Sequence, residues 1–284
     1  WQNATGSGMS IKSVAEFMGK CEDKQFPELE KDRHVFSFLN GVYYAKDDVF
    51  KPYNEKNINQ STISSKYFDI MFPEEDGDDI ETPYFDSILE YQEFTEDIME
   101  WVYIYIGRMI YDVNEMDGWQ TIPFFQGQAG SGKSTILMNI IKQIYEDEDI
   151  GIMSNNFQEK FGLSDVVDNF LFIAPEIKRN WKIEQAEFQS MVSGERLTVN
   201  IKHEKSRFVT WVTPGALAGN EPPDFCDNSG SVQRRMVVFK FINRVKDDDN
   251  LLGKKLKKEM PNIIKKCNQK YLAAAEKWGH KNVW

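Results

Sequence analysis

The sequence is poor in the residue types that hold small metal or disulfide scaffolds together: of 284 residues only three are cysteine and three histidine. Cys21, Cys226 and Cys267 are widely spaced and odd in number, which excludes a disulfide framework and the Cys-x-x-Cys spacing of a zinc site. His34, His203 and His280 are just as scattered, and none is paired at ligand spacing. No run of about 18 apolar residues occurs, so no membrane-spanning helix is expected. The N-terminus lacks the charged-then-apolar pattern of a signal peptide. A reducing, intracellular setting is the simplest reading of these absences. There is no internal repeat and no low-complexity tract, and a chain that starts at Trp1 is read as a fragment.

Basic residues are missing from residues 67–107, which hold 13 acids and no Lys or Arg. The formal net charge of −11 therefore misleads about partners, because everything outside that segment sums to −11 + 13 = +2. Residues 251–284 carry nine Lys against two Glu. The charge is segregated, and a basic surface remains available for an anionic partner.

The apolar fraction of 41% is ample for a sizeable core. Residues 35–39 and 42–45 are two apolar runs separated by Asn40-Gly41, a strong hairpin signal. Residues 73–83, with Pro73, Gly77, Pro83 and several acids, read as a solvated linker. Between Ser87 and Tyr111 the apolar spacing is helical and predicts one or two helices. A βαβ pattern follows: a strand over 121–126, a Gly-rich turn, and a helix with Ile136, Leu137, Ile140, Ile141 and Ile144 on one face. Residues 150–153, 170–174, 208–212 and 236–241 read as further strands of a core sheet, and the chain ends in a Lys-rich helix expected to break near Pro261. The expected class is α/β: a P-loop core of parallel sheet flanked by helices, with a smaller N-terminal α+β region and a C-terminal helical tail. The expected divisions are an N-terminal region with its acidic linker over 1–86, a helical lead-in over 87–119, the P-loop core over 120–245 and the Lys-rich tail over 246–284.

Gly127-Gln128-Ala129-Gly130-Ser131-Gly132-Lys133-Ser134-Thr135 fits G-x-x-x-x-G-K-[ST] in full, after a strand and before a helix. Glycines let the backbone take positive φ and aim a run of N–H groups at phosphate oxygens. Lys133 places its ammonium on the β- and γ-phosphates, and the Ser134 hydroxyl is a ligand for Mg²⁺. The pattern predicts a site for a nucleoside triphosphate, ATP with Mg²⁺. Such a site needs an acid on a neighbouring strand, and Glu176 ends the apolar run of residues 170–174. Asp165 and Asp168 read as loop residues rather than metal ligands. Asn220, beyond the run at 208–214, is placed to orient water or sense the γ-phosphate, or simply to turn the chain. Arg234 and Arg235 precede a strand, and a guanidinium there suits the charge on a transferring phosphoryl group. If they lie at the edge of the domain opposite the P-loop, they would meet a neighbouring copy's nucleotide.

Taken in order, the P-loop, the strand ending at Glu176, the segment 185–205, Gly219-Asn220-Glu221-Pro222 and Arg234-Arg235 resemble superfamily 3 helicases. The likeness is nearest to the helicase part of the primase-helicases of poxviruses and other nucleocytoplasmic large DNA viruses. It spans about residues 120–242 and, more loosely, residues 38–43. The resemblance implies an AAA+-like ATPase and DNA helicase of viral replication, assembled as a hexamer that threads single-stranded DNA. A primase would be fused or associated, and the setting would be host cytoplasm or a viral replication site. It gives Glu176 the catalytic and Mg²⁺-binding acid role, Asn220 the sensor role, and Arg234 or Arg235 the role of arginine finger. Pro175 stands where the family has the first acid of an Asp-Glu pair, which leaves that position's role open. The resemblance also implies DNA contact between acid and sensor. There Leu197, Val199 and Ile201 alternate before a polar tip, the pattern of a hairpin that carries Lys202, His203 and Lys205. A regulatory ATPase without unwinding, or a P-loop small-molecule kinase, are the alternative readings.

Overall fold

The computed structural model describes residues 29–54, 58–59, 61–155, 162–200, 205–225, 230–246 and 249–279, with Glu16 and Gly19 as isolated positions. Four strands come first: β1 (Glu30–Phe38), β2 (Gly41–Tyr44), β3 (Val49–Pro52) and β4 (Thr62–Phe68). They form one sheet in the order β3-β2-β1-β4, with β1 and β4 parallel and the other pairs antiparallel. The expected hairpin is present, but its loop is Leu39-Asn40, since Gly41 already pairs with Phe38. Gly41 is needed because a Cβ there would lie 2.3 Å from the Lys51 carbonyl oxygen. The Asn40 side chain bridges the Phe72 backbone, accepting from its N–H at 2.8 Å and donating to its carbonyl at 3.2 Å.

Two helices follow, α1 (Pro83–Tyr91) and α2 (Glu96–Arg108), as the spacing predicts. The acidic segment before α1 is not a free linker. Lys265 donates to the Glu75 carbonyl at 2.6 Å, Lys270 pairs with Asp78 at 3.1 Å, and Ile80 is buried. Basic residues of the last helix thus offset the acids that the composition set apart.

The core sheet holds β5 (Ile122–Gly127), β6 (Ile150–Ile152), β7 (Leu171–Ile177), β10 (Gly215–Gly219) and β11 (Met236–Phe241), all parallel, in the order β11-β5-β10-β7-β6. Helices α3 (Lys133–Asn139), α4 (Gln185–Ser193) and α5 (Leu252–Trp278) flank it, and β8 (Arg196–Val199) and β9 (Arg207–Thr210) form a separate antiparallel pair. This is the predicted class, with two local differences. Residues 208–212 are not a core strand: β9 pairs only with β8, and the fifth core strand is the run Gly215-Ala216-Leu217-Ala218-Gly219. Small residues are required there, since a Cβ on Gly215 would lie 2.2 Å from the Phe172 ring. Helix α5 is also unbroken. Pro261 is buried inside it, and packing against α2 holds both halves in line despite the hydrogen bond that proline removes.

One continuous hydrophobic cluster includes Phe36 and Tyr43 of the N-terminal sheet, Leu89 and Tyr105 of the lead-in helices, Phe125 and Leu137 of the P-loop unit, and Ile263 and Tyr271 of α5. Arg33 fastens the small sheet to the core: its buried guanidinium pairs with Asp112 and donates to the carbonyls of Ile110, Met109 and Phe170. Among the described residues, no helix is long and apolar enough to cross a membrane.

Candidate nucleotide-binding site

Strand β5 ends at Gly127, and the chain turns back through residues 128–132 into α3, whose first residue is Lys133. Gly130 and Gly132 take φ of +77° and +93°, conformations that disfavour any side chain. Gly127 is required for space, because a Cβ would lie 2.5 Å from the Phe241 carbonyl oxygen. Helix α3 is seven residues long and gives way to a 3₁₀ turn at Ile141–Gln143, shorter than the apolar spacing suggested, though all five isoleucine and leucine positions are buried. An anion here would be cradled by the backbone amides of the loop more than by a long helix. Lys133 is 7% exposed and donates to the Gln128 carbonyl at 3.1 Å. Burial lowers its pKa, and the Glu176 carboxylate acts in the opposite sense, so the two charges feel each other. The Ser131 hydroxyl is buried with no hydrogen-bond partner among the described residues. Ser134 is exposed and Thr135 is half-buried.

The strand order sets the rest. Because β10 lies between β5 and β7, the carboxyl ends of three adjacent strands carry the loop, Asn220 and Glu176 in that order. Gly219 is in register with Gln126 on one side and with Ile177 on the other. Asn220 is exposed, and its carbonyl accepts from the Gln126 side chain at 3.3 Å. Strand β7 runs through Pro175 and Glu176 to Ile177, and its register against β10 slips between Leu217 and Gly219. Proline has no N–H to give the ladder, and a bulge is where a strand tolerates it. Pro175 thus breaks the ladder next to Glu176, which is left exposed. Among the described residues, no group of three or more His, Cys, Asp or Glu is arranged to hold a metal ion by itself. A cation here would rely on Ser134, Glu176 and the nucleotide's own oxygens, a donor set that fits Mg²⁺.

The paired arginines part company. Arg235 is 8% exposed and held within its own chain, donating to Ser193 Oγ at 3.2 Å and to the Ser231 carbonyl at 2.7 Å. Arg234 is exposed. Both precede β11, at the end of the sheet where Met236 pairs with Ile122, whereas the P-loop leaves the other end, where Phe241 pairs with Gly127. Five residues of strand separate the two ends by roughly 17 Å.

In the β8–β9 hairpin, Leu197 and Val199 face inward, and Arg196, Thr198, Phe208 and Thr210 face out. Phe208 is 68% exposed, with the Arg196 guanidinium 5.1 Å from its ring centre. Arg207 pairs with Asp168, which ties the hairpin to the turn before β7. Asp165 closes a 3₁₀ turn. Lys205 is exposed, while Lys202 and His203 lie outside the described residues.

Several residues at the site carry no local motif. A cleft of about 610 Å³ opens beside the P-loop, lined by Tyr84, Ile88 and Tyr91 of α1, Gly130 to Gly132 and Thr135 of the loop, and Arg244, Val245 and Leu252 of the connection into α5. Gln92 is 2% exposed and clasps its parts: its amide donates to the carbonyls of Ser131 at 3.0 Å and Asn243 at 2.8 Å, and it accepts from the Asn243 N–H at 2.8 Å. Residues about 40 positions before the loop and about 110 after it meet only through the fold, so no spacing could have revealed them.

The profile of a family of unknown function, DUF5906, matches residues 125–235, from the P-loop strand to the arginine pair. Two apo structures of the NrS-1 C-terminal region are similar in fold. One has a TM-score of 0.51 at 11% identity and is aligned with 84% of this chain. The other has a TM-score of 0.54 at 15% identity and is aligned with 92%. The chain spans 67% and 61% of the lengths of those two structures, and at this identity what they share with it is a fold.

Proposed function

We propose that the chain is the motor part of a viral replication helicase, an ATPase that binds ATP with Mg²⁺ and moves single-stranded DNA through a ring of copies, six by the family resemblance. One observation carries the reading: Lys133, Asn220 and Glu176 stand on the carboxyl side of three adjacent parallel strands, with an amide between the lysine and the acid. Lys133 and the loop amides hold the β- and γ-phosphates. The Asn220 amide orients a water in line with the γ-phosphorus, and Glu176 takes the proton as the new P–O bond forms and ADP leaves. Ser134 and Glu176 would hold Mg²⁺, which would neutralise charge on the phosphate oxygens. Arg234 is the finger. It lies too far from its own loop to act there, so it serves the nucleotide of an adjoining copy. Arg235 is a structural residue that supports it. The hairpin, with Lys202, His203 and Lys205, is the DNA contact, and a primase is fused or associated elsewhere.

ATP hydrolysis measured with and without single-stranded DNA tests the proposal. The wild-type chain is expected to hydrolyse ATP faster with DNA present, and Lys133→Ala to lose nucleotide binding and turnover. Hydrolysis that DNA does not stimulate, by a chain that forms rings, would leave a regulatory ATPase. Transfer of the γ-phosphate from a stable monomer to a metabolite would end the motor reading.

A further inference from the structure

Strand β11 has an arginine near each end, and the two stand in opposite relations to the nucleotide site. Arg234 precedes the strand at the far end of the sheet. Arg244 follows it, three residues after Phe241, which pairs with Gly127 of the P-loop. The backbone around Arg244 is fixed on the loop itself: the Val245 N–H donates to the Gly130 carbonyl at 2.8 Å, and the Tyr91 hydroxyl donates to the Arg244 carbonyl at 2.8 Å. Its side chain lies over the loop, with Nε 3.5 Å and Cγ 3.7 Å from where a Cβ on Gly130 would stand. The guanidinium lines the cleft and has no ion pair or hydrogen bond among the described residues. Nearby Lys255, by contrast, is already paired with Asp249 at 2.7 Å.

A guanidinium with no partner among the described residues, beside the backbone amides of the P-loop, is placed to take phosphate oxygens in a forked pair of hydrogen bonds. We infer that Arg244 is a substrate-binding residue acting in cis, which clamps the polyphosphate of the nucleotide against its own P-loop while the nucleoside occupies the cleft between α1 and the start of α5. This rests on the nucleotide-binding reading above. It adds a cation from the same chain to Lys133, distinct from Arg234, which acts across copies.

The test is equilibrium binding of mant-ADP and mant-ATP to the 284-residue chain, with ADP, AMP and adenosine as competitors. Arg244→Ala is expected to weaken mant-ADP about tenfold, and Arg244→Lys less, with the loss largest for the nucleotides that carry more phosphates. Because the side chain is exposed, thermal melting of both variants should match wild type. In mixtures of Arg244→Ala and Lys133→Ala chains, no ATPase activity should be recovered, since every site lacks one of two groups that belong to the same chain. Wild-type affinity in Arg244→Ala, an equal loss for adenosine, or recovery in the mixture would each overturn the inference. A wild-type chain that fails to bind mant-ADP would overturn the nucleotide reading as well.

Discussion

Glu176 is exposed, sits beside a register slip in β7 and acts on the charge of buried Lys133 without touching it. A group so placed is free to take a proton from water and is not consumed in a structural ion pair. Glu176→Gln keeps the shape but removes the base of the proposed reaction, so turnover is expected to fall at least about 100-fold while mant-ATP still binds. Single-turnover rates beside equilibrium binding check this. A second carboxylate, Glu115, does structural work. It takes hydrogen bonds from His34 at 3.0 Å and Lys46 at 2.7 Å, joining the small sheet to the segment after α2. Burial alone would raise its pKa, but these bonds and that of the Asp112 N–H overcome burial and hold it at about 2, below the usual 4.5. A depressed pKa stabilises the fold above the unfolded value and ceases to do so as pH falls through the folded one. The urea midpoint is therefore expected to fall between pH 4.5 and 2, and Glu115→Gln to flatten that part of the curve.

At the scale of elements, what sequence could show depended on whether a signal was local. The P-loop was legible because strand, glycine turn and lysine are contiguous, and the first arm of the β8–β9 pair because Leu197 and Val199 alternate, whereas its second arm lay in the run read as a core strand. Strand β10 was not: Gly-Ala-Leu-Ala-Gly has little strand propensity, and the neighbouring Phe208 run looked far more like a core strand. Packing decided the matter, since only a bare backbone fits beside the Phe172 ring. Gly215→Ala, a single methyl, is expected to cost about 1–3 kcal/mol in chemical denaturation. The same strand carries Asn220, so that variant should also lower turnover. The continuity of α5 through Pro261 was likewise invisible, because the contacts that hold it come from α2, some 160 residues earlier.

For the whole molecule, the separation of Arg234 from its own P-loop predicts activity that depends on neighbours. Mixing Arg234→Ala with Lys133→Ala chains should restore ATPase activity above the sum of the two alone, because some interfaces then unite an intact loop with an intact arginine. A titration of mixing ratios reads this out. The charge asymmetry of the sequence resolves in the fold as well, since Lys265, Lys266 and Lys270 face the acidic segment while Lys254, Lys257 and Lys258 stay exposed.

The Gln92 clasp has a practical side. A protein trimmed to the stretch recognisable by motif, residues 120–245, would keep every group of the proposed reaction yet lose the amide that pins the Ser131 carbonyl and one wall of the cleft. It would also expose the greasy flank that α2 and α5 cover. A shortened chain should therefore keep residues 29–279 whole, with the helices on either side of the P-loop stretch serving as its chassis.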